Sequence, residues 1–184
     1  MRKIVALCAT ALTLMTPGIA HATDFGDNGT YVFEGDVSVI KNLPFPTACT
    51  LTVTLVVTGG GSAATADPEL SGSTLCDDIN TASFASAPYA VSANTGVSPI
   101  RLSISGVTIG IPPVSIFPAD GCAGSLTHEW GGNSASPRFL DFTTPLSDVP
   151  DGPPDNFGGT ENPCKIEGTL VQISGASGGL VITP

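Results

Sequence analysis

Few side chains in this sequence can attack, titrate near neutral pH or hold a metal, and their spacing decides what each could do. His128 is the one histidine beyond the first 22 residues. It sits in Ser125-Leu126-Thr127-His128-Glu129-Trp130, where alternation puts Leu126, His128 and Trp130 on one face and Thr127 and Glu129 on the other. A lone histidine on an apolar strand face reads as a packed core residue rather than a general base. His128-Glu129 also lacks the second histidine that a zinc-protease helix requires. Gly175-Ala176-Ser177-Gly178-Gly179 fits G-x-S-x-G, but a nucleophile elbow must lead into a helix and precede an acid and a histidine. Only Leu180–Pro184 follows, so the match is one of spacing alone. No phosphate-cradling glycine loop with its lysine is present. These observations assign no catalytic residue, and the expectation is a protein that is not an enzyme.

Oxygen-rich loops could serve a hard cation. Asp148, Asp151, Asp155, Asn156 and Glu161 share one Pro/Gly-rich stretch, and Asp24, Asp27 and Asn28 lie near the start. Calcium collects several such oxygens, yet the spacing fits no EF-hand register, and solvated loops are the simpler reading. The expectation is no metal and no cofactor. Asn28-Gly29-Thr30 is formally a glycosylation sequon. Trp130, Phe84, Tyr89 and Phe117 could line an apolar site, with core packing the plainer role for most of them. The residues alone name no ligand-binding set.

The cysteines say more. Cys8 lies inside an N-terminal apolar run, and Cys49, Cys76, Cys122 and Cys164 lie beyond it. Four cysteines in an exported chain imply two disulfides with three possible connectivities. Cys49–Cys76 with Cys122–Cys164 is favoured because neighbours in sequence usually pair within one half of a sandwich. A zinc site is the rival, but no Cys-x-x-Cys occurs and only His128 could assist.

Export is read from Met1-Arg2-Lys3, the apolar run Ile4–Met15, the break at Pro17-Gly18, and the small residues around Ala20-His21-Ala22. This is a secretory signal pattern with cleavage expected after Ala22. The run is too short to span a bilayer. Residues 23–184 then form one domain, secreted to the periplasm, cell surface or medium. Removing Arg2 and Lys3 leaves four basic residues against sixteen acids, a charge of −12. Such a surface repels phosphate backbones and anionic lipid headgroups, so nucleic acid is not an expected partner.

These groups must be carried by strands. Cys49–Thr58 alternates Leu51, Val53, Leu55 and Val57 with a mostly threonine face, and stops at Gly59-Gly60-Gly61. Thr30–Ile40 alternates similarly, with Gly35 on the apolar face as a bulge or a point of close packing. Ile100–Ser105, Val107–Ile109, Val114–Phe117, Ser125–Trp130, Phe139–Phe142 and Cys164–Ile173 follow as further strands. Ser83–Val91 reads as an edge strand because Pro88 cannot donate to a ladder. Ser62–Ser73 is polar and indistinct, and no window shows a sustained helical period. The expected fold is all-β: a single antiparallel β-sandwich of about eight to ten strands, braced by disulfides, with a β-barrel as the alternative.

The order of pieces resembles a known family. Cys49-Thr-Leu-Thr-Val opens a strand, Leu70-Ser-Gly-Ser-Thr-Leu-Cys76 holds the second cysteine, and Ala87-Pro88-Tyr89-Ala90-Val91-Ser92-Ala93 follows. Gly121-Cys122-Ala123-Gly124, a strand ending in Trp130, and Asn162-Pro163-Cys164-Lys165-Ile166 complete the series. Over Thr30 to Ile173 this is similar to the secreted PraB-like protein activators of alkane oxidation. The resemblance implies an exported, non-enzymatic protein that promotes use or dispersal of hydrocarbons, and supplies no catalytic residues. Apolar hydrocarbons or cell-surface components are the implied partners, with self-association open. A second resemblance, to chaperone–usher pilins, rests on Asn28–Val37 leading to Cys49-Thr50-Leu51, and implies a pilus or matrix subunit. The ending Leu180-Val181-Ile182-Thr183-Pro184 departs from the alternating, tyrosine-bearing pilin terminus.

Overall fold

The computed structural model describes residues 24–41, 46–113, 119–143, 146–148, 164–176 and 178–184. The expected signal segment, Phe117 and the acidic residues between 149 and 163 lie outside them. Nine strands and one α-helix are described: β1 (Gly29–Ile40), β2 (Thr47–Thr58), β3 (Ala63–Ser71), α1 (Thr74–Ala82), β4 (Tyr89–Asn94), β5 (Arg101–Ile111), β6 (Asp120–Trp130), β7 (Phe139–Phe142), β8 (Ser147–Asp148) and β9 (Lys165–Ser174).

Successive antiparallel pairings run β5-β4-β3-β2-β1-β9-β7-β6, and β5 pairs with β6 as well. That last contact closes eight strands into a barrel, with β8 added beside the first residues of β6. The sandwich expectation is therefore corrected to the barrel alternative. Eleven-residue β5 and β6 are long enough to pair along most of their length, so the sheet closes on itself and leaves no second sheet to stack. Ile100–Ser105 and Val107–Ile109 are one strand, β5, with a register shift at Gly106, where φ is 77°.

Alternation works as the sequence implies. Leu51, Val53, Leu55 and Val57 of β2 are buried, as are Tyr31, Phe33, Val37 and Val39 of β1. Gly35 is a point of close packing: a Cβ there would overlap the Thr169 carbonyl of β9. An eight-stranded barrel is just wide enough for such side chains to fill.

The two ends of the barrel are closed differently. At one end the tail lays Leu180 and Ile182 into the core, and Asn133 brackets Ile182 by accepting from its N–H at 2.9 Å and donating to its carbonyl at 2.8 Å. At the other end lie both disulfides, Cys49–Cys76 and Cys122–Cys164, and a buried ion pair, Lys41 Nζ to Asp120 Oδ1 at 3.0 Å.

The wall is interrupted beside β4. β4 reaches only Ala64–Ala66 of β3 and Arg101–Ile104 of β5. The remaining halves, β3 67–71 and β5 107–111, face a gap, and α1 fills it. Ser73 caps the helix by accepting from the Cys76 N–H, and Cys76 and Ile79 point into the core. The exposed strand edges find partners there. The Leu70 N–H donates to Asn80 Oδ1 at 2.8 Å, the Gly110 N–H donates to Ser83 Oγ at 2.9 Å, and the Phe84 N–H donates to the Thr108 carbonyl at 3.0 Å. Pro68 has the same strand parity as Leu70, so its missing N–H falls on the gap side, where no ladder needs it. Covering an edge with a helix is a standard way to keep it from pairing with other chains. The helix and β3 correct the expectation of a helix-free chain with an indistinct 62–73 stretch. Ser83–Val91 is likewise no edge strand: its strand part starts at Tyr89 and pairs on both sides.

Candidate functional site

His128 lies in the barrel interior, 2 % exposed, stacked on Phe142 with ring centroids 4.6 Å apart. Burial pushes its pKa down to about 3, against a hydrogen bond to the Leu126 backbone that raises it. It is therefore neutral at any ordinary pH. Its Nδ1 has no hydrogen-bond partner among the described residues. Trp130 is core, meeting Phe33 edge to face at 6.2 Å and donating its indole N–H to Asn133 Oδ1 at 3.2 Å. Phe84 and Tyr89 are also buried, on either side of the turn that leads from α1 into β4.

Cys49 joins the start of β2 to α1, and Cys122 joins β6 to the residue before β9. Asp24 and Asn28 serve turns: Asp24 Oδ1 accepts from the Gly26 N–H and Asn28 Oδ1 from the Gly60 N–H at 2.8 Å. No group of three or more metal-ligating side chains occurs among the described residues. Ser177 lies outside them.

The outer surface divides into two kinds of ground. Over the disulfide end of β1, β2, β3, β7 and β9 it is mostly hydroxyl and carboxylate. Thr50 bonds Asp36 at 3.3 Å, Thr52 bonds Glu34 at 3.2 Å, and Thr169 bonds Asp141 at 3.0 Å. These cross-strand pairs answer what the threonine face of β2 does: its hydroxyls hold neighbouring carboxylates.

Towards the tail end the same wall turns apolar. Val56 of β2, Val32 of β1, Ile173 and Val171 of β9, and Phe139 of β7 follow one another across adjacent strands. Val56, Val171 and Ile173 are exposed, Ile173 by 56 %. A register shift of β9 against Val32/Phe33 leaves Ile173 without a partner residue on β1, which turns it outward. The sequence hid this strip. Its residues belong to strands that meet only through the β2-β1-β9-β7 order, and each is an ordinary strand valine, isoleucine or phenylalanine.

A groove of about 300 Å³ runs beside α1, lined by Thr52, Thr54, Asp67, Glu69 and the buried Pro68 and Phe84, among others. No helix among the described residues is long and apolar enough to cross a membrane, which says nothing of strands.

No curated protein and no solved structure matches the chain. A family model does: that of the PraA/PraB-like alkane oxidation protein activators matches residues 1–178. The match takes in both cysteine pairs, every described strand, the α1 plug and the apolar strip, and on it the chain belongs to the PraA/PraB-like alkane oxidation protein activator family.

Proposed function

We propose that this protein is exported after cleavage near Ala22, is not an enzyme, and promotes the use or dispersal of alkanes by touching apolar material outside the cell. The observation that carries this reading is the Val56-Val32-Ile173-Val171-Phe139 strip, apolar ground on a wall whose disulfide end carries cross-strand hydroxyl and carboxylate pairs. Apolar side chains held outward on a rigid barrel gain free energy when they leave water for a hydrocarbon surface. The family's description as alkane oxidation activators supports the same chemistry. Two disulfides suit an oxidising compartment. The one histidine beyond the first 22 residues is buried and neutral, which supports a role without acid–base chemistry.

A deletion strain grown on hexadecane tests the reading. Slower growth and weaker emulsification, both restored by the added protein, are expected. Growth and emulsification equal to the parent strain would remove the role.

A further inference from the structure

The segment that plugs the barrel wall has properties beyond closure. Cys49–Cys76 anchors the first half of α1, but the end of the helix and the turn after it are fastened by a few polar bonds from Asn80, Ser83 and the Phe84 N–H. Ile79 and Phe84 occupy the core behind these fasteners. Phe84 does so with φ at 56°, the one positive φ among the described non-glycine residues. A bulky side chain held in the left-handed region is a genuine outlier that the surroundings must enforce. The outer groove reaches this point, because the buried Pro68 and Phe84 are among its lining residues. Five residues on, Tyr89 opens β4. It pairs with Ala66, is 4 % exposed and sits on the inward face, and its hydroxyl has no hydrogen-bond partner among the described residues. An unsatisfied buried hydroxyl is costly unless something supplies the missing bond.

We propose that the barrel interior behind residues 79–84 is a binding site for a straight-chain primary alcohol, entered from the groove when Ile79 and Phe84 swing out. The alkyl chain takes the place these two side chains fill in the closed form, and the alcohol oxygen accepts a hydrogen bond from Tyr89 Oη. An alcohol fits better than an alkane, which would leave the phenol unsatisfied. It also fits better than a fatty acid, whose carboxylate would enter an apolar interior past Asp67 and Glu69. An alcohol is the first oxygenated product of alkane oxidation, so this proposal rests on the alkane reading above and gives it a second, more specific contact.

Calorimetry on the mature, disulfide-intact protein with octan-1-ol, octane and octanoate tests it. Octan-1-ol should bind saturably at one site, and octanoate should not bind. Tyr89→Phe should weaken octan-1-ol by about fivefold, the loss of one hydrogen bond, and leave octane unchanged. Phe84→Ala should tighten both, because an emptied apolar seat stays dry and accepts apolar ligands. The proposal is overturned if neither the natural protein nor Phe84→Ala saturates with octan-1-ol, or if Tyr89→Phe binds it equally well. These readings do not depend on growth: a growth defect on hexadecane without octan-1-ol binding sinks the site alone, and binding without a growth defect sinks the alkane role alone.

Discussion

His128 and Lys41 show how differently one buried polar residue and another are tolerated. His128 is kept by being neutral. Its pKa is 6.5 in the unfolded chain and about 3 in the fold, because burial disfavours the imidazolium. Between those values the unfolded state binds the extra proton, so stability rises with pH across that window and is lost as pH falls through it. The slope approaches about 1.4 kcal/mol per pH unit, and the whole loss is on the order of a few kcal/mol. His128→Phe keeps a ring against Phe142 and removes this dependence. Urea unfolding from pH 7 to pH 4 should show the variant gaining steadily on the natural protein, and parallel curves would contradict the assignment. Lys41 is kept by being paired. Its ammonium donates to the Gly121 carbonyl at 2.8 Å and meets Asp120 at 3.0 Å, with no side-chain exposure. Removing one partner of a buried pair costs far more than replacing both. Lys41→Ala should lose about 3 kcal/mol by urea titration, and Lys41→Met with Asp120→Leu should recover most of it. The core place of His128 was legible from its strand face, but the role of Lys41 was not: it counted only as one of four cations in the net charge, and its partner lies some eighty positions away.

At the scale of elements, legibility followed the strength of the two-residue period. β1, β2, β6, β7 and β9 announced themselves because branched or aromatic residues alternate with polar ones in each. β3 did not, because its inward face is Ala64, Ala66, Pro68 and Leu70, too small a contrast to stand out. α1 did not because only Cys76 and Ile79 of its nine residues are buried, too few to draw a helical stripe. What makes α1 a helix is its place: it fills the space β4 is too short to occupy and satisfies the bare edges of β3 and β5. The choice between sandwich and barrel was hidden for the same kind of reason. Alternation says which face is buried, but not that β5 will find β6. The plug role gives a prediction. Asn80→Ala leaves the Leu70 N–H unpaired in a half-buried place and should cost about 1–2 kcal/mol. Hydrogen exchange should quicken at Leu70 and in α1, while the β1–β2 pair stays protected; uniform quickening over the whole barrel would show that α1 is no separate unit.

The whole molecule joins a closed barrel to a surface of unequal character. Closure pairs β5 with β6, the plug covers the gap beside β4, and the disulfides with the Lys41–Asp120 pair brace the end away from the tail. The outer face is then free to carry Ile173 in water without inviting edge-to-edge pairing. The chain's formal charge is −10, so approach to a negatively charged droplet surface is opposed at long range and favoured only where apolar atoms touch. Two consequences separate this picture from nonspecific stickiness. Val171→Ser with Ile173→Ser removes two outward side chains, each worth about 1 kcal/mol on transfer to hydrocarbon, and should lower adsorption to hexadecane droplets at least about tenfold. Circular dichroism and melting should stay near those of the natural protein, since neither residue is core. Raising salt from low to physiological strength should increase adsorption of the natural protein, because screening removes the repulsion and leaves the apolar contact. Val97, exposed in the turn between β4 and β5 and away from the strip, is the control, and Val97→Ser should adsorb as the natural protein does. Equal losses at Val97 and at the strip would mean that any exposed valine suffices, and the strip would then carry no function of its own.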